Sequence, residues 1–412
     1  SRLEAIIKNL NLEFIVTDAK HAQILKNSGV NLIIFDEINL KGEDKFDPAN
    51  YENTIDTDPL YIINTSGSTG TPKGVAISHK SAINYIEWAY ETFNFKDDLK
   101  IASQAPFIFD NSVLDIYLTL KTGSTLFLIP QELFTFPIKV VEYLEKNEIN
   151  FIFWVPSVMA NIAALDLLRG VNLSLEFIIF AGEVMPVKTM NYFKSRFKNA
   201  VLANLYGPTE TTVDCAYYIV DRDFGDEESL PIGYPCKNTD VFLLDENDAP
   251  VTAQNTLGEL CVRGASLALG YYNDPVKTAS AFTQNPLNLA YPERIYRTGD
   301  LAYYNERGEL MYKGRKDFQI KHMGYRIELG EIETAALSLS GVDSACALYD
   351  GAIALIYTSQ TAASQREILL YLGKILPKYM LPTRFVMLDE MPLNVNGKID
   401  RNKLKELIKD QK

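Results

Sequence analysis

The stretch Tyr61-Ile62-Ile63-Asn64-Thr65-Ser66-Gly67-Ser68-Thr69-Gly70-Thr71-Pro72-Lys73-Gly74-Val75 decides more about this chain than any other. An apolar run of strand character enters a succession of hydroxyl and glycine residues, and Pro-Lys-Gly follows. Such a loop can wrap a polyphosphate. Its glycines let backbone N–H groups approach oxygens closely, its hydroxyls donate further bonds, and Lys73 adds a mobile positive charge. It is not a Walker A loop, whose pattern needs Gly where Pro72 stands. The inner SGSTG alone reads first as a flexible surface loop; the strand before it and Pro-Lys-Gly after it reverse the preference in favour of the phosphate reading.

A chain of 412 residues is too long for one ordinary core, so two or more domains are expected. Hydrophobic content of 47% and charged content of 23% are those of a soluble globular protein. The most apolar stretch, Phe151 to Leu168, is broken by Pro156, Asn161 and Asp166, so no membrane insertion is expected. The opening Ser-Arg-Leu-Glu has no signal-peptide character. Cys215, Cys236, Cys261 and Cys346 lack CxxC spacing and read as buried reduced thiols of a cytoplasmic protein. Three histidines, His21, His79 and His322, speak against a zinc site or a His-based triad. A net charge of −13 argues against a nucleic-acid partner. From residue 318 onward 12 Lys and Arg balance 11 Asp and Glu, so the acidity belongs to the preceding body.

Short apolar runs alternate with amphipathic segments up to about residue 320. Strands are expected at Tyr61–Asn64, Phe151–Val155, Phe177–Phe180 and Val201–Leu205, with a helix over Ile138–Ile149. This is an α/β layered pattern. From about residue 235 the character turns β-rich, with strands at Val241–Leu244 and Glu259–Val262 and a hairpin over Leu301–Arg315. The last segment has its own plan: helices at Glu331–Leu339 and Arg366–Leu376 around a hairpin turning at Asp350-Gly351. The expected division is 1–316 as a large layered α/β core, its β-rich part at 235–316, and 317–412 as a small mobile α+β domain.

Further motifs carry chemistry. Asn204-Leu205-Tyr206-Gly207-Pro208-Thr209-Glu210-Thr211-Thr212 follows a buried strand, at a sheet edge where ligands are presented. Tyr206 offers a flat face to a purine, Thr209 can donate to a phosphate, and Glu210 is a hard oxygen ligand suited to Mg²⁺. Tyr296-Arg297-Thr298-Gly299-Asp300 and Tyr312-Lys313-Gly314-Arg315 flank the hairpin, where Asp300 can accept from both hydroxyls of a ribose. Gly314-Arg315-Lys316-Asp317-Phe318-Gln319-Ile320-Lys321 and Gly324-Tyr325-Arg326-Ile327-Glu328 sit where the two charge regimes meet. Asn396-Gly397-Lys398 is a turn with Lys398 at its tip.

In this order the motifs closely resemble those of the adenylate-forming superfamily, which contains acyl-CoA synthetases, luciferases and peptide-synthetase adenylation domains. The resemblance runs from Tyr61 to Arg401. It implies that Thr65, Ser66, Gly67, Ser68, Thr69, Lys73, Glu183, Asn204, Leu205, Tyr206, Gly207, Pro208, Asp300, Tyr312 and Arg315 hold ATP or AMP. Lys398, Glu210 and Thr209 would be catalytic, Glu210 the Mg²⁺ ligand, and Asp317 the hinge of a C-terminal lid domain. This chain has Met323 where many members have Arg.

Phe109-Asp110-Asn111-Ser112 resembles the FDxS motif of the amino-acid-activating branch, whose aspartate pairs with the substrate ammonium. That charge-assisted bond is one a fatty acid could not repay. The pocket implied by the resemblance is Asp110, Asn111, Leu114, Phe153, Ile179, Ala181, Leu205, Val213 and Asp214. Phe153 and Leu205 leave room for a small amino acid, and a second carboxylate at Asp214 favours a polar side chain unless it turns outward. The texture is closest to stand-alone D-alanine–carrier protein ligases, although those usually carry Cys at Ala181 and no carboxylate at Asp214. The expectation is ATP- and Mg²⁺-dependent activation of a small amino acid as aminoacyl-AMP, with transfer to the phosphopantetheine thiol of a carrier protein. The alternatives are an acyl-CoA synthetase, or a nucleotide-binding homologue that does no chemistry.

Overall fold

A computed structural model describes residues 2–38, 49, 52–66, 72–316, 319–359, 363–393 and 399–409. Its central sheet has seven strands, in the order Tyr234–Pro235, Ala216–Ile219, Val201–Tyr206, Phe177–Phe180, Phe151–Trp154, Lys100–Ser103 and Thr125–Leu128. The last five are parallel; Ala216–Ile219 runs antiparallel to Val201–Tyr206. Phe-Ile-Phe-Trp and Phe-Ile-Ile-Phe are buried at every position, as strands covered on both faces must be. Alternate side chains feed two separate cores. Ile152, Trp154, Ile178 and Phe180 pack with helices Pro137–Lys146, Pro156–Ala164 and Val187–Arg196. Phe151, Phe153, Phe177 and Ile179 pack with helices His79–Phe93 and Asn111–Thr122 on the other face.

Beside this sheet Pro59–Thr65 pairs antiparallel with Lys73–Ser78, so the opening motif does leave a strand and re-enter one. Five strands between Thr239 and Arg315 form an antiparallel sheet, which accounts for the change of pattern after residue 235. Further on lie the hairpin Gln319–His322 with Tyr325–Glu328, and a three-stranded sheet of Ser344–Tyr349, Ile353–Thr358 and Arg384–Met387. Helices Leu329–Leu337 and Gln365–Ile375 share an apolar cluster with that sheet, and Ser364 with Glu367 forms a capping box on the second helix. All four cysteines are free and buried. Among the described residues no helix is long and apolar enough to cross a membrane.

Candidate active site

The C-terminal ends of the parallel strands open onto one cavity of about 730 Å³, within the range of small-molecule sites. Four of the five parallel strands each deliver one wall segment: Ser103 leads toward Asp110, Trp154 to Pro156, Phe180 to Glu183, and Tyr206 to Thr209. Thr65, Ser66, Asp110, Asn111, Glu183, Asn204, Leu205, Tyr206, Gly207, Pro208, Thr209, Asp214, Asp300, Tyr312 and Arg315 line it together. Leu114, Phe153, Ile179, Ala181 and Val213 lie behind that wall, buried in one apolar cluster to which the lining residue Leu205 also belongs. Gly67, Ser68, Thr69, Asp317 and Lys398 lie outside the described residues.

The Tyr206–Asp214 turn is held tightly. A Cβ on Gly207 would meet the carbonyl oxygen of Val213 at 2.4 Å, so only glycine permits the approach. Thr212 (φ 57°) and Val213 (φ 67°) are both left-handed, a conformation that costs a β-branched residue of order 1–3 kcal/mol. That kink turns Asp214 back into the cavity wall, where it is buried and accepts a 2.7 Å bond from the Tyr85 hydroxyl. Burial pushes its carboxyl up to about 7, against the Tyr85 bond and with Asp110 adding to the rise. Asp110 is itself raised by burial, opposed by Thr209 and Lys321.

Glu210 behaves in the opposite way. It is fully buried, yet Arg326 and Lys73, with the Tyr271 hydroxyl, outweigh burial and hold it ionised at about 2. Arg326 donates to one carboxylate oxygen at 2.6 Å and Tyr271 to the other at 2.7 Å. Lys73 stands 3.9 Å from Glu328 and lies over the Tyr271 ring. The Tyr206 hydroxyl donates to Asp300, which Arg315 also pairs at 2.7 Å.

The cavity's roof is the hairpin Gln319–Glu328, which supplies Gln319, Ile320, Lys321, Gly324, Tyr325 and Arg326 to the lining. Gly324 N–H donates to Glu183 at 2.8 Å, and the Ser66 hydroxyl donates to the Arg326 carbonyl at 2.7 Å. Lys321 reaches in 5.6 Å from the Tyr206 ring, among Asp300, Asp110 and Asp214, and burial lowers its pKa. Lys321 and Arg326 pair directly across the turn, so both cations point to one face. That spacing, two cations flanking a turn glycine in a strand-like run, was the available signal. Tyr85, which orients Asp214 from 129 residues away, carried no signal at all.

The family model described as AMP-binding enzyme matches residues 1–272. The chain belongs to the AMP-binding, adenylate-forming ligase family. Across 100% of its length it is 35% identical to the zwittermicin A synthase ZmaJ of Bacillus cereus, over 79% of that protein. Across 93% it is 35% identical to a D-alanine–D-alanyl carrier protein ligase of Bacillus cereus, over 81% of that ligase. A solved structure of holo-PA1221, an NRPS protein containing adenylation and PCP domains, superimposes with a TM-score of 0.81 at 25% identity, covering 99% of this chain and 69% of that one.

Family members use ATP, generally with Mg²⁺, and the residues here fit both. The Thr65 hydroxyl is buried beside the cavity with no hydrogen-bond partner among the described residues, where a phosphate oxygen would accept from it. Among the described residues no cluster of three metal-ligating side chains exists. Mg²⁺ held by one carboxylate, substrate phosphates and water requires none.

Proposed function

We propose that this adenylate-forming ligase activates a small amino acid and passes it to a carrier-protein thiol. The observation that carries the reading is the placement of Asp110 on the wall of the cavity that also contains Thr65, Tyr206 and Asp300. A carboxylate there favours an ammonium beside the acyl group, which separates amino acids from fatty or aryl acids. In the first half-reaction the amino acid carboxylate attacks the α-phosphate of ATP and expels pyrophosphate. Mg²⁺, when bound, would neutralise phosphate charge at Glu210. Thr209 and the Thr65–Thr69 loop would position the phosphates, Tyr206 and Tyr312 the base, and Asp300 with Arg315 the ribose. Lys398 would stabilise charge developing at the reacting phosphate. In the second half-reaction the phosphopantetheine thiol attacks the acyl carbon and AMP leaves, after residues 317–412 swing about Asp317.

Similarity to the D-alanyl carrier protein ligase and to the adenylation–PCP protein supports the carrier as acceptor. Asp214 in the pocket wall supports a hydroxyl or amine on the substrate side chain, and D-alanine stands as one candidate among several. The test is amino-acid-dependent pyrophosphate exchange across a panel of D- and L-amino acids. Exchange supported by a fatty or aryl acid instead would overturn the reading.

A further inference from the structure

Asp214 lies on the cavity wall, yet the group that aims its side chain lies behind that wall. Its Oδ2 accepts the 2.7 Å bond from the Tyr85 hydroxyl. Tyr85 stands about two turns past the Ser78 N-cap in helix His79–Phe93, which directly follows the strand Lys73–Ser78. It is 2% exposed, does not line the cavity, and packs its ring on Trp88 with centroids 5.6 Å apart. The helix is fixed against the segment around Asp214. Asn238 Nδ2 donates to Asn84 Oδ1 at 2.7 Å, and Cys236 Sγ donates to the Asp214 carbonyl at 3.8 Å. Asp214 N–H donates to the Thr212 carbonyl at 2.9 Å, so backbone and side chain are both held. Among the described residues no second hydrogen-bond donor reaches the carboxylate.

From this we infer that Tyr85 sets substrate preference without touching the substrate. By holding Oδ2 it fixes the Asp214 rotamer, and a fixed carboxylate is a directed acceptor for a hydroxyl or ammonium on the amino acid's side chain. Tyr85 is thus a positioning residue, and the class it favours is a small amino acid with a hydrogen-bond donor close to its Cβ. An aliphatic side chain in the same place leaves a buried acceptor unpaired, which is how such a site rejects it. Without the Tyr85 hydroxyl the carboxyl would lose a bond that opposes the effect of burial, keep its proton to higher pH, and turn among rotamers. The inference rests on the proposed activation of an amino acid, and on no property of the carrier.

The experiment compares Tyr85→Phe with the parent in pyrophosphate exchange, using serine, diaminopropionate, α-aminobutyrate and alanine in the enantiomer the parent activates. Phenylalanine keeps the ring on Trp88 and removes the hydroxyl alone. The kcat/KM ratio of the better donor-bearing substrate to α-aminobutyrate should fall about ten-fold, the worth of one misdirected hydrogen bond. Alanine offers Asp214 no donor, so its kcat/KM should stay close to the parent's. The ratio should climb with pH as Asp214 ionises, and in Tyr85→Phe the climb should move to higher pH. Asp110 and Lys321, the other charged groups acting on Asp214, are the same in both proteins. With Asp214→Ala already in place, adding Tyr85→Phe should shift the ratio no further. An unmoved ratio, an equal loss for alanine, or a further loss on top of Asp214→Ala would overturn the inference alone. Failure of every amino acid in the parent would overturn the amino acid reading and this inference with it.

Discussion

The floor and the roof of the cavity are held by different physics. The floor strands Phe151–Trp154 and Phe177–Phe180 are apolar at every position and buried on both faces. Their attachment scales with area, is non-directional, and offers no alternative partner of equal worth. The roof hairpin is attached largely through single polar contacts: an N–H on Glu183, a carbonyl on Ser66 and a guanidinium on Glu210. Tyr325 adds ring contacts, edge-on to Phe109 and stacked on Tyr379. Each polar contact can be replaced by an equivalent donor, acceptor or cation from a ligand. The proposed reaction, which first excludes and then admits a second substrate, would gain from a fixed floor and an exchangeable roof.

The comparison can be broken most severely at the floor. Trp154 is fully buried and its indole N–H donates to the Ala102 carbonyl at 2.8 Å. Trp154→Ala should cost about 3–5 kcal/mol of folding stability, read by denaturant unfolding. A loss below 1 kcal/mol would show that the floor is not the continuous core described here.

At the cavity wall, Asp110→Ala should lower amino-acid-dependent pyrophosphate exchange by about 10³-fold, the order of effect when one partner of an enclosed ion pair is removed. ATP binding, followed by calorimetry, should stay close to the parent's. Near-normal kcat/KM in the variant would refute the amino acid assignment.

Lys398→Ala should slow adenylate formation by about 10²–10³, as deletion of one preorganised donor to developing charge does. Thiol capture of a supplied aminoacyl-AMP should hardly change. Single-turnover measurement of each half separates the two, and equal losses would exclude alternation of the C-terminal segment.

The smallest effect is expected at Asp214. Asp214→Ala should shift preference toward alanine-like substrates by about 1–3 kcal/mol, the value of one lost hydrogen bond. Its carboxyl is raised to about 7, so it is protonated below that pH and becomes an ionised acceptor above it. The preference for a polar side chain should therefore strengthen as pH rises through 7, and the variant's profile should lose that step. A substrate ranking unchanged by the substitution at any pH would show that Asp214 serves Tyr85 alone.

Much of this protein was legible along the chain. Strand runs such as Phe151–Trp154 and the alternation around them are local patterns, and solvent enforces them residue by residue. The phosphate-loop run, the Tyr206–Glu210 motif and Asp110 were visible because their chemistry is carried by contiguous residues. Other features were decided by tertiary structure. Glu210 and Asp214 lie four residues apart and are both buried, yet one is held at about 2 and the other raised to about 7. Distant chain segments supply the difference: Arg326, Lys73 and Tyr271 surround Glu210, whereas the Asp214 carboxylate accepts from the neutral Tyr85 hydroxyl and the charge of Lys321 is the smallest of the influences on it. Charge state in a buried site depends on through-space neighbours and dielectric rather than on sequence spacing. Residue types and their order determine which groups are available; the fold alone determines which cation stands beside which carboxylate.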